Sequence, residues 1–128
     1  MGPNHCIVDS SVFVAFYRDV DSQHTEALRV MQELSELTLI VHPYVIQETA
    51  TFLAYRVGMK ISKRFCADIA DAANVIIPAV DARYDIARFS DIDTRISFTD
   101  AALIELSKSA GVRVITFDKQ MLSLVRPN

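Results

Sequence analysis

The sequence lacks the marks of several function classes. Its two cysteines, Cys6 and Cys66, form no CxxC and stand at no metal-type spacing from His5, His24 or His42. Neither a zinc site nor a disulfide framework is legible, so both thiols read as reduced core residues and the cytoplasm as the natural compartment. There is no basic excess: the formal net charge is -3. That argues against a general nucleic-acid coat, although a local basic groove stays possible. No apolar stretch is long enough to span a membrane, and Met1-Gly2-Pro3-Asn4 has neither the charge nor the apolar core of a signal peptide. No repeat, low-complexity tract or linker interrupts the 128 residues. This length suits one domain, burying roughly two thirds of its unfolded surface.

Hydrophobic residues make up 51% of the chain. Its mean hydropathy of +0.22 is high for a soluble monomer. Both fit a sheet covered on its two faces, with apolar surface left for a second copy or a tight partner, and a dimer is expected.

Strand-like and helix-like stretches alternate. His5 to Asp9 reads as a short strand, and Ser11 to Tyr17 as a helix capped by the Asp-Ser-Ser group. Asp21 or Ser22 caps a second helix, where Ala27, Leu28, Met31 and Leu34 recur at helical spacing. Leu39 to Tyr44 is a second strand. Val45 to Met59 is a third helix with an apolar stripe of Ile46, Ala50, Leu53 and Val57, its end marked by Gly58. Ser62 caps a fourth helix, with Ile61, Phe65, Ile69 and Ala72 on one face. Val75 to Val80 is a third strand, and Pro78, which removes a ladder donor, puts it at an edge. A short helix around Ala82, Ile86 and Phe89 leads through the polar loop Ser90 to Arg95. Ala101 to Ala110 is an apolar helix closed by Gly111, and Val112 to Phe117 is the last strand. This βαβ order predicts an α/β fold with a largely parallel central sheet.

The acidic residues fall where these runs stop. Asp9 ends the first strand and Asp118 the last, Glu48 opens the third helix after strand two, and Asp100 opens the helix after Ser97-Phe98-Thr99. Open parallel sheets bind ligands beyond the carboxyl ends of their strands, so the topology gathers the four acids at one edge. Such a crowd stays ionised only with a cation among it, and hard divalent ions with oxygen ligands suit it best. Singly, each acid has a plainer account. Asp9 and Asp118 can cap helices, and Asp100 can form a capping box with Ser97 or answer the helix dipole. Glu48 is harder to dismiss, since its helical neighbours Val45 and Phe52 are apolar. Capping does not explain why all four converge.

Ile7-Val8-Asp9-Ser10-Ser11, Val45-Ile46-Gln47-Glu48, Ser97-Phe98-Thr99-Asp100-Ala101 and Thr116-Phe117-Asp118-Lys119 resemble, in order and spacing, the motifs of the PIN-domain ribonucleases, and among them the VapC toxins of toxin–antitoxin pairs. The resemblance covers essentially the whole chain, as a single PIN-like nuclease domain over 1–128 built as a three-layer α/β/α sandwich. It implies an endoribonuclease dependent on Mg2+ or Mn2+, often dimeric and silenced by a cognate antitoxin. Asp9, Glu48, Asp100 and Asp118 match the family's acidic quartet, and Ser11 and Thr116 its accompanying hydroxyls. One departure is Gln120, where many relatives carry a further acid, so a second metal would be held weakly or only with substrate.

Asp9, Asp100 and Asp118 are the preferred metal ligands. Glu48 is either a further ligand or the group that orients and deprotonates the attacking water. Ser11 and Thr116 would tune the ligands through hydrogen bonds. Arg56, Lys60, Lys63 and Arg64 bracket the turn between helices three and four, where they either hold RNA phosphates or form an ordinary solvated turn. Two other classes stay open: a catalytically silent binding module on the same scaffold, and a phosphoacceptor signalling domain. Pro78-Ala79-Val80-Asp81 and Lys119 match the latter only in part.

Overall fold

The computed structural model describes residues 4–125, so Met1 to Pro3, at the head of the opening tetrapeptide, lie outside the described part. β1 (His5–Val8) is the centre of the sheet, and its Cys6, Ile7 and Val8 are all 0% exposed. A strand apolar at consecutive positions is buried on both faces, as parallel sheets require. It pairs with β2 (Thr38–Ile40) on one side and with β4 (Arg113–Ile115) on the other, and β3 (Val75–Ile76) extends the sheet beyond β2. All pairings are parallel; Ile7 faces Ile40 on one side and Val114 on the other.

Helices α1 (Ser10–Tyr17), α2 (His24–Glu33), α3 (Pro43–Arg56) and α4 (Met59–Asp71) pack together in one group. A second group is α5 (Ala82–Ser90), α6 (Phe98–Ala110) and α7 (Lys119–Val125). The two groups flank the sheet, giving the α/β/α sandwich expected. In the first, the Phe13 and Phe65 rings meet at 5.3 Å. The chain steps from β1 outward to β2 and β3, then returns past β1 to β4. Strand order therefore reverses between β1 and β4, the place where open parallel sheets bind ligands beyond the carboxyl ends of their strands.

Several boundaries differ from the sequence reading. The second strand stops at Ile40 rather than Tyr44 because Pro43 starts α3. Proline suits a first helical position, where no N–H is needed, and the His42 side chain accepts from Tyr44 N at 3.1 Å to cap the turn. The third strand is at an edge as expected but ends at Ile76, short of Pro78. Ser62 is no cap: α4 starts at Met59 after Gly58, whose φ of 136° suits only glycine, and the buried Ser62 hydroxyl donates to Ala50 O at 2.7 Å. Asp21 accepts from Gln23 N, one turn ahead of α2. Leu28 is 47% exposed, and Ala27, Val30 and Leu34 form the buried side instead. α6 begins at Phe98, three residues before Ala101, and Gly111 closes it in the left-handed conformation.

Candidate active site

Asp9 follows β1 and is 3% exposed. Its backbone N–H donates to Ile115 O at 3.0 Å, continuing the β1–β4 pairing past the strand itself. It is the N-cap residue of α1, yet its side chain makes no capping bond. The carboxylate turns toward the end of β4 instead, where Oδ2 accepts from Ser11 Oγ at 2.9 Å and from Thr116 Oγ1 at 2.7 Å. Those hydroxyls accept in turn from Phe117 N and Asp118 N, each at 3.0 Å. Each hydroxyl has one proton, and both protons go to Asp9. The 3.2 Å contact between Ser11 and Thr116 then carries none. The two hydroxyls thus lock Asp9 and pin the end of β4 to the start of α1. Asp9 Oδ1 is buried with no hydrogen-bond partner among the described residues.

Asp100 sits at the third position of α6, whose N-cap Ser97 accepts from Asp100 N at 3.0 Å. Its carboxyl pKa is pushed up to about 6, first by burial and then by the charges of Asp9, Asp118 and Glu48, while the Ser97 hydroxyl pulls the other way. Like charges in a partly dry pocket make ionisation costly, the condition a cation relieves. Asp118 is exposed; Oδ1 accepts from Met121 N at 2.9 Å and caps α7. The plain account of Asp118 thus holds for one oxygen and leaves the other free of that duty. Glu48 lies in the second turn of α3, since the helix starts at Pro43, and Oε1 accepts from Ser10 Oγ at 2.7 Å.

The four acids are therefore brought together. Among the described residues, no three His, Cys, Asp or Glu side chains stand close enough together to hold a metal ion as they are placed. The through-space effect of three acids on Asp100 and the absence of a closed cage describe the same thing, a loose acidic pocket. Mg2+ suits such a site because it keeps several waters, so that some of the acids can hold it through water rather than directly. The buried, unpartnered Asp9 Oδ1 fits an ion there, because an orphaned anionic oxygen is costly unless something cationic faces it.

Arg56, Lys60, Lys63 and Arg64 are all exposed, and among the described residues none forms an ion pair or hydrogen bond with the four acids. Arg56 lies over the Phe52 ring, eight residues beyond Glu48, a rise of about 12 Å along α3. Arg64 borders a hollow of about 360 Å³ with Tyr17, His24 and Asp68. Two contacts escaped the sequence reading: the bond from Ser10 to Glu48, and Gln120 Nε2 donating to Arg95 O at 2.8 Å, which ties α7 to the loop before α6. Gln120, the departure from the family's motif pattern, has its amide spent on a backbone carbonyl.

A parallel sheet whose strand order reverses between β1 and β4, with four acids gathered at the carboxyl ends of those strands, defines a doubly wound α/β protein. A PIN domain model matches residues 6–126, and the chain belongs to the PIN-domain family. It is 24% identical to Ribonuclease VapC26 of Mycobacterium tuberculosis, covering 94% of this chain and 92% of that protein. Among solved structures, the crystal structure of Mycobacterium tuberculosis VapC20, a sarcin-ricin loop cleaving toxin, matches with a TM-score of 0.80 at 22% identity, over 92% of this chain and 93% of that one.

Proposed function

We propose that the chain is a Mg2+- or Mn2+-dependent endoribonuclease acting as the toxin of a toxin–antitoxin pair, with the acidic pocket as its active site. The observation that carries this reading is Asp9: a buried carboxylate with Oδ2 locked by two hydroxyls and Oδ1 unpartnered beside three other acids. Asp9, Asp100 and Asp118 would hold the ion. When bound, it would supply positive charge to the scissile phosphate and make water more acidic. Glu48 either completes the ligand set or takes the proton of the attacking water. Ser11 and Thr116 keep Asp9 from turning away to cap α1. Arg56, Lys60, Lys63 and Arg64 are assigned to RNA phosphates, since the described residues include no carboxylate partner for any of them. The protein should cut mixed cellular RNA with Mg2+ or Mn2+ and stop in EDTA. Undiminished cutting in EDTA would end this reading.

We assign two protein partners. A cognate antitoxin would insert an Arg or Lys into the acidic pocket, replacing the charge of the ion, with Arg able to bind carboxylate in bidentate fashion. A second copy would cover α5, which buries none of its residues and leaves Tyr84 48% and Ile86 56% exposed. Within the described residues, no helix is long and apolar enough to cross a membrane. Expressed with its neighbouring reading frame, the chain should copurify with a small protein that suppresses cleavage, and sedimentation should give the mass of an assembly containing two copies. Harmless expression alone, with no copurifying product, would remove the toxin reading.

A further inference from the structure

The first turn of α1 carries two adjacent hydroxyls, and they serve different carboxylates. Ser11 holds Asp9. Ser10 donates to Glu48 Oε1 at 2.7 Å, a bond between residues 38 apart in sequence that joins α1 to α3. Helix capping does not call for it, because the N-cap residue of α1 is Asp9 and Ser10 is already helical. Both partners are half-buried. Glutamate has three rotatable side-chain bonds, and a helix fixes only its backbone, so the carboxylate of an isolated Glu48 would spread over several rotamers. A hydroxyl on the rigid first turn of α1 selects one of them. With Oε1 engaged, Oε2 is the oxygen left for the pocket, on a side chain whose charge already reaches Asp100.

We infer that Ser10 is a positioning residue, holding Glu48 in the rotamer that presents its second oxygen to the divalent ion or to the ion's water. This rests on the acidic pocket being a metal site. The bland alternative is that the bond only braces α1 against α3. The two differ in what they predict once Glu48 loses its charge: a positioning role disappears with the carboxylate, and a brace does not.

Isothermal titration with Mn2+ tests it on the full chain, comparing wild type, Ser10→Ala, Ser10→Thr, Glu48→Gln and the Ser10→Ala/Glu48→Gln double variant. Ser10→Ala should weaken Mn2+ binding about tenfold to a hundredfold. Ser10→Thr, which keeps the hydroxyl, should restore it, and Ser10→Ala should add nothing in the Glu48→Gln background. In RNA cleavage, kcat should fall with KM for RNA little changed. Should Ser10→Ala melt too low to titrate, Ser10→Cys, similar in size and a weak donor, should show the same loss. Wild-type Mn2+ affinity in Ser10→Ala, or an equal loss with and without the Glu48 carboxylate, overturns the role of Ser10 alone. A wild-type chain that binds no Mn2+ overturns it together with the metal reading.

Discussion

Asp9→Asn and Asp100→Asn should each lower the rate of RNA cleavage by orders of magnitude while the domain stays folded. The reason is clearest at Asp9. Its Oδ2 is held by Ser11 and Thr116, both donating, so the asparagine oxygen takes that place. The amide NH2 is then forced to the position of Oδ1, the oxygen with no partner. An anionic ligand is replaced by two donors that repel a cation, yet the hydrogen bonds that pin β4 to α1 survive. Asp100→Asn removes its charge from the start of α6 without touching the Ser97 cap, which uses the Asp100 backbone N–H. Cleavage assays beside thermal melts check both variants. Activity that survives both substitutions, or is lost only because the variants unfold, would count against the assignment.

The second large effect is on stability, where metal and charge act in opposite directions. Without metal, Asp100 titrates at about 6 in the fold against an ordinary 3.8. A raised folded pKa means that this group's favourable contribution is fully present below its unfolded value and is lost as pH rises through the folded one. Above about pH 6 the ionised Asp100 therefore costs the metal-free protein stability. Asp100→Asn in EDTA should melt at or above the wild type at pH 7, and the difference should close toward pH 4. Metal reverses the order of benefit. A ligand that binds only the folded state, at about a hundred times its dissociation constant, adds about 2.7 kcal/mol, a melting shift of several degrees for a domain of this size. The wild type should gain that shift in millimolar Mn2+ and the variant distinctly less. Equal shifts would remove Asp100 from any metal site and leave it as an acid at a helix start.

The convergence of the acids was legible because it follows from topology. Asp9 and Asp118 lie just past parallel strands, and Asp100 and Glu48 lie early in helices that begin on the same side, so the βαβ order alone brings them to one edge. Strand lengths were not legible. Leu39 to Tyr44 is continuously strand-like in composition, and only the pairing of Pro43 with its His42 cap decides that a helix begins there. The use of hydroxyls was half legible. Asp-Ser-Ser looks like a helix cap, yet in the fold Asp9 faces β4, Ser11 holds it, and Ser10 reaches Glu48. Local spacing cannot register a partner 38 residues away, nor the bond from Gln120 to Arg95. The tight turn between α3 and α4 was marked by Gly58, but the role of Ser62, tying those helices by a bond to a backbone carbonyl, depends on their packing.

The chemistry of the cleaved ends tests the central claim most directly. If the pocket directs water at phosphorus, cleavage with Mn2+ in water enriched in oxygen-18 places the label in the product phosphate. No 2′,3′-cyclic phosphate should be detectable at early times, and Asp9→Asn should abolish the labelled product. Cyclic phosphate ends that form early, carry no label and persist in EDTA would mean that the RNA's own 2′-hydroxyl attacks, and the acidic pocket would then not be the site of a metal-dependent hydrolysis.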